Sequence, residues 1–161
     1  MPKHSLVRTS LLGVLLLFIG CKDSSYTSDL ASDDLATRIR GIEFLGSQRD
    51  RTAIPRLIGA LSDPGTEVRA KAAWALGMMQ AKEAVEPICL LLAESGARAR
   101  QSAARALMQI EEPDALPSLR EALDRETDRW VRPEIQEAIN HLAQFEGELD
   151  VDEGNFRGQY H

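Results

Sequence analysis

Aromatic side chains are scarce: four Phe, two Tyr and two Trp make up 5% of 161 residues. Sandwiches and barrels lean on aromatic and β-branched residues, so this balance, with Ala and Leu abundant, favours helices. Cysteine is scarcer still, with only Cys21 and Cys89. Cys21 closes an N-terminal export-type segment and is expected to be modified, which leaves Cys89 without a partner and excludes a disulfide framework. Three histidines, His4, His141 and His161, leave little material for a metal cluster or a proton relay. The longest apolar run, Leu11 to Ile19, is about half of the ~20 residues a membrane-spanning helix needs. The length suits one modest domain. These absences point away from most enzymes and towards a helical binding or structural protein.

The N-terminus has the layout of a secretory signal. Lys3 and Arg8 form a basic head with no acid, LLGVLLLFI follows, and Gly20 closes the run. The ending Leu17-Phe18-Ile19-Gly20-Cys21 resembles the lipobox of bacterial lipoproteins, with Phe18 where Leu is commoner. The resemblance implies removal of residues 1–20 and acylation of Cys21 on its sulfur and new amino terminus. Two or more acyl chains give stable membrane anchoring where one does not. It also implies a lipid-anchored protein of the bacterial cell envelope, facing the periplasm. Lys22, where enterobacterial members retained in the inner membrane carry Asp, leans towards the outer membrane.

Charge divides the remainder. The chain from Cys21 onward carries 17 basic and 25 acidic residues, net −8. Residues 22–34 are net −3 and residues 146–161 net −4, so residues 35–145 form a nearly neutral body of 15 basic and 16 acidic residues. The polar ends are expected to be disordered: an acidic tether over 21–33 behind the acylated cysteine, and an acidic tail over 146–161. No basic face exists for nucleic acid.

The body, 34–145, repeats with a period near 31, within the solenoid range. Arg38, Arg69 and Arg100 are 31 apart and Arg132 follows after 32; Leu45, Leu76, Leu107 and Ile139 keep the same step. Pro55, Pro87 and Pro117 recur, and Ser32, Asp63, Glu94 and Glu126 each precede an arginine by six. In the clearest unit, 63–95, Val68, Ala72, Ala73, Ala75 and Leu76 follow helical spacing over 67–79. A second helix over 84–93 carries Pro87 in its first turn and is apolar almost all round. Asp63-Pro64-Gly65 and Ser95-Gly96 separate the pairs. The pattern predicts seven helices: one over 34–46, then three antiparallel pairs ending near Gln144, stacked around a shared core with both end faces exposed.

Val68-Arg69-Ala70-Lys71-Ala72-Ala73-Trp74-Ala75-Leu76-Gly77 and Ala84-Val85-Glu86-Pro87-Ile88 resemble HEAT repeats, specifically the short HEAT-like repeats related to phycobilisome lyases. The resemblance covers about two-thirds of the chain and implies an all-α, right-handed α-solenoid. It also implies that the helix of each pair that carries the Val-Arg motif, here 67–79, lines a concave surface. Glu67, Lys71, Trp74 and Met78 share one helical stripe. One period away lie Arg40 and Glu43, then Arg98 and Arg105, then Trp130, Glu134, Glu137 and His141. The candidate partner-binding residues are therefore Arg40, Glu43, Lys71, Trp74, Met78, Arg98, Arg105 and Trp130. They predict a groove with Trp74 central, a basic row at Arg98 and Arg105, and an acidic row at Glu134 and Glu137. The plainer alternative is that each Trp covers a neighbouring helix.

The repeating arginines resemble the family's internal ladder, pairing each helix start with its loop through charge-assisted bonds. Cys89, inside an apolar run, reads as an inert buried thiol. Enzymes of related fold supply remote alternatives. HEAT-like oxidoreductases hold two irons with His-Glu pairs, but His141 is followed by Leu142. A bilin-lyase relative would be displaced from its cytoplasmic pathway by export. No Ser/His/Asp order or phosphate-cradling glycine loop is apparent. The reading is a non-enzymatic, lipid-anchored module that binds another protein, with no cofactor, metal, nucleic acid or small-molecule substrate expected. The alternative is a structural accessory that docks by its end repeats.

Overall fold

A computed structural model describes residues 23–93 and 96–146. The segment read as a signal peptide, Cys21, Glu94 and the tail beyond Glu146 lie outside the described residues. Among the described residues there are eight α-helices and no strand: α1 (Asp23–Asp29), α2 (Leu35–Gln48), α3 (Ile54–Ala60), α4 (Thr66–Met78), α5 (Val85–Leu91), α6 (Ala97–Ile110), α7 (Leu116–Arg125) and α8 (Val131–Leu142). The last seven are the expected ones.

Long and short helices alternate for a local reason. Each short helix is entered through a 3-10 turn, at Arg51–Ala53, Lys82–Ala84 and Pro113–Ala115. Pro55 and Pro117 lie in the first turns of α3 and α7, where a missing N–H costs little. The long helices start on side-chain or loop caps. Asp34 accepts from the Thr37 hydroxyl at 2.6 Å and the Thr37 N–H at 2.8 Å, which hold its carboxyl below the usual range. Asp128 Oδ1 accepts from Trp130 N at 2.8 Å and Val131 N at 3.3 Å. Arg49, Gln80 and Glu111, again 31 apart, turn the chain with positive φ of 52°, 49° and 61°.

The four long helices pack side by side in one layer, and each of α3, α5 and α7 packs on the long helix that follows it. Neighbouring short helices make little contact, so the long layer is the inside of the curve. Ile42, Leu45, Leu57, Leu76, Ile88, Leu107, Leu119 and Ile135 fill the space between the layers and are fully buried. Small residues set the spacing within the long layer. A Cβ on Gly46 would lie 2.8 Å from the Ala75 Cβ, and one on Gly77 would lie 2.9 Å from the Ala106 Cα.

Three expectations need correction. The segment 21–33 is not a disordered tether throughout, because α1 packs on α2. Tyr26 stacks on Phe44 with ring centroids 3.7 Å apart, and Gly41 leaves room for Asp29 and Leu30. The expected exposure of both end faces holds only at α8. α1 covers α2, and the outer side of α8 carries exposed Arg132, Gln136, Glu137 and Asn140, a polar cap of the kind that closes a repeat array. Nor is α5 enclosed all round: Leu90, on the outside of the curve, is 73% exposed.

Candidate functional site

The inner layer brings the polar stripes of the long helices together, and ion pairs mark the register. Lys71 of α4 pairs with Glu43 of α2. Arg98 of α6 reaches Glu67 of α4, Nη2 to Oε1, at 3.0 Å. Arg105 of α6 donates from Nε to Glu134 of α8 at 2.7 Å, and Gln101 Nε2 adds a 3.3 Å bond to the same carboxylate. Each partner lies 28 to 33 residues away, so the pairs tie successive repeats together across one face.

This arrangement corrects the separate basic and acidic rows. Arg98 and Arg105 face acids of the adjoining helices, so the charge is interleaved and locally neutralised. Arg40 is exposed on the same side of α2 and donates to Thr37 Oγ1 at 3.0 Å. Met78 is half-buried, while Glu137 is exposed.

The two tryptophans differ. Trp74 is half-buried against the core, its Cζ3 lying 2.9 Å from where a Gly46 Cβ would stand. Its ring therefore covers α2, the plainer alternative, and its remaining surface belongs to the inner face. Trp130 is 68% exposed. Pro133 occupies the first turn of α8, so the helix begins at Val131 and Trp130 sits just outside it. The Arg129 guanidinium lies 4.5 Å from the Trp130 ring centroid.

The repeating arginines are structural, through a different bond from the one expected. Arg38, Arg69 and Arg132 donate to the main-chain carbonyl six residues earlier, at Ser32, Asp63 and Glu126, over 2.8, 2.7 and 3.2 Å. The carboxylate of the next repeat is bound instead. Arg38 Nε lies 2.9 Å from Asp63, and Arg100 holds Glu126 through 2.7 and 2.9 Å bonds. The Arg100 guanidinium and the Thr127 and Asp128 N–H groups hold the buried Glu126 carboxyl below its ordinary range. Burial pushes the Cys89 thiol up, opposite to the shift that makes a cysteine reactive. No group of three or more His, Cys, Asp or Glu suited to a metal occurs among the described residues.

Sequence reasoning missed the other rim of the array. Arg51 Nη1 donates to the Met79 carbonyl at 2.7 Å, and Gln80 Nε2 to the Gln109 carbonyl at 3.3 Å. Lys82 pairs with Glu112. The only sequence signal was the 31-residue step of Arg51 and Lys82, which lies in the turns rather than on a helix stripe.

Stacked antiparallel helix pairs in two layers, with arginines bracing the loops and, at Arg38 and Arg100, tying them to the next repeat, define an α-solenoid. The sequence pattern of HEAT repeats matches residues 27–96 and 66–140, and the chain belongs to that family. It is similar in structure to a chain in the complex of CpcE and CpcF of phycocyanin lyase from Nostoc sp. PCC7120. There the TM-score is 0.69 at 25% identity, with 89% of this chain and 59% of that chain covered. This chain thus spans about three-fifths of that neighbour's length. An engineered protein gives a TM-score of 0.58 at 21% identity, with 76% of this chain and 62% of the other covered. No curated protein matches the sequence.

Proposed function

We propose that this HEAT-repeat chain is a protein-interaction module held at the bacterial cell envelope by an acylated Cys21, and that the inner face of its long helices receives the partner. The observation that carries this reading is the continuous inner face, on which Trp74 sits among side chains already fixed by the Lys71–Glu43, Arg98–Glu67 and Arg105–Glu134 pairs. Side chains held in place before binding lose less freedom when a partner docks, and interface hot spots are enriched in Trp and Arg. Concave repeat surfaces commonly serve this purpose. The polar outer side of α8 weighs against docking by the end repeats. Periplasmic orientation, and the lean towards the outer membrane, follow from the lipobox-like segment and Lys22.

The test is partner capture by the mature protein carrying Trp74→Ala with Arg105→Ala. Loss of capture with unchanged helicity supports the inner face; full capture contradicts it. A Cys21→Ala chain should leave the membrane fraction, and retention there would argue against the lipid anchor. The CpcE–CpcF neighbour favours a second reading, a relative of phycocyanin lyase. A bilin retained by the purified protein, seen as visible absorbance, would establish that reading over the first.

A further inference from the structure

One residue of sequence separates Cys21 from Asp23, where α1 begins. α1 runs antiparallel to α2: the chain leaving α1 is held at Arg38 through the Ser32 carbonyl, Asp29, Leu30 and the Tyr26 carbonyl lie at Gly41, and the Tyr26 ring reaches on to Phe44. Followed backward, the first turn of α1 therefore leads to the Gln48 end of α2. Two residues of chain reach at most ~7 Å. The C-terminal ends of α2, α4 and α6 share this edge, which also holds their 3-10 turns and a shallow recess of about 410 Å³ lined by both signs of charge, Arg51 and Lys82 with Glu83 and Glu111, and closed by Phe145.

We infer that this edge of the array faces the phospholipid bilayer, with the first repeat closest to it; the inference rests on acylation of Cys21. The charge along the edge is uneven. At the first two corners exposed Arg49, Arg51 and Lys82 stand with Asp50 and Glu83; Arg51 lies 3.7 Å from Glu83 and Lys82 pairs with Glu112, so two of the three cations are already matched. The corner farther from α1 is acidic, with Glu111, Glu112, Asp114 and Glu146. Anionic headgroups are repelled from that acidic corner, which tilts the first repeat rather than the last towards the bilayer. The opposite edge, with the starts of the long helices and Trp130, stands off by the length of a 14-residue helix, about 20 Å. The long helices then rise from the membrane and the inner face opens along its surface, where a membrane-bound partner would meet it.

Single-tryptophan forms of the acylated full chain, bound to phosphatidylcholine–phosphatidylglycerol vesicles with brominated acyl chains, test this. Trp130 alone, in a Trp74→Phe chain, should keep its emission and remain open to aqueous acrylamide. A tryptophan at Gln48→Trp, with Trp74→Phe and Trp130→Phe, should lose emission to the bromine, and Lys82→Trp in the same background provides a second near-edge reporter. Equal quenching at both edges, or quenching of Trp130 alone, overturns the orientation while leaving the anchor standing. Failure of the chain to sediment with vesicles, matched by Cys21→Ala, overturns the anchor and the orientation with it.

Discussion

Glu126 shows what single residues do in this fold. Its side chain is 3% exposed, holds two bonds from Arg100, and accepts from two main-chain N–H groups at the start of the last repeat. Removing one member of a buried ion pair leaves the other uncompensated, so Glu126→Gln should cost about 2–4 kcal/mol near neutral pH. The pH dependence has a definite sign. The folded-state value lies below the ordinary 4.5, so the contribution is complete above that value and is lost as pH falls through the folded-state one. Urea unfolding at pH 7 and in the acid range should show the gap between wild type and Glu126→Gln closing on acidification. A constant gap would mean that the carboxylate charge is not what stabilises the junction.

Among the elements, the long helices depend on close approach. Gly77→Ala would place a methyl 2.9 Å from the Ala106 Cα. Overpacking of this kind costs about 1–3 kcal/mol, enough to exceed the gain of about 1 kcal/mol in helix propensity. Gly59, near the end of α3, has open space where a Cβ would stand, with nothing within 4 Å, so Gly59→Ala should be neutral or stabilise by up to about 1 kcal/mol. Thermal unfolding should show a lowered midpoint for Gly77→Ala and an unchanged or raised one for Gly59→Ala. α1 packs on α2 with Tyr26 stacked on Phe44 and Asp29 and Leu30 over Gly41. Tyr26→Ala should speed amide exchange in α1 while leaving α4 and α6 protected.

The elements were legible in the sequence to different degrees for physical reasons. The step that places Leu45, Leu76 and Leu107 on buried sites reports a core that every repeat must fill, and the seven main helices follow from it. α1 was hidden because its segment has one aromatic and several Ser and Asp residues; one ring contact and a glycine gap decide its fate, and composition does not register either. Arg49, Gln80 and Glu111 take a left-handed conformation usually marked by Gly or Asn, so these turns carried no sequence signature. The stripes of Lys71, Arg98 and Arg105 were visible, but not their partners, because pairing across helices depends on the tilt and offset of neighbours.

At the scale of the whole molecule, the two surfaces have different chemistry. The inner face is a lattice of cross-helix pairs around Trp74, whereas the outer face consists of short, separated helices with exposed Leu90. A partner received by the inner face should respond to both surfaces unequally. The most direct measurement is site-specific photocrosslinking in the native cell, with the reactive side chain placed at Gln101 or Met78 on the inner face and at Leu90 or Arg120 on the outer one. The account predicts one common adduct from the inner positions, lost in the Trp74→Ala, Arg105→Ala chain, and none from the outer positions. The same adduct from Leu90 or Arg120, with inner positions silent, would contradict it.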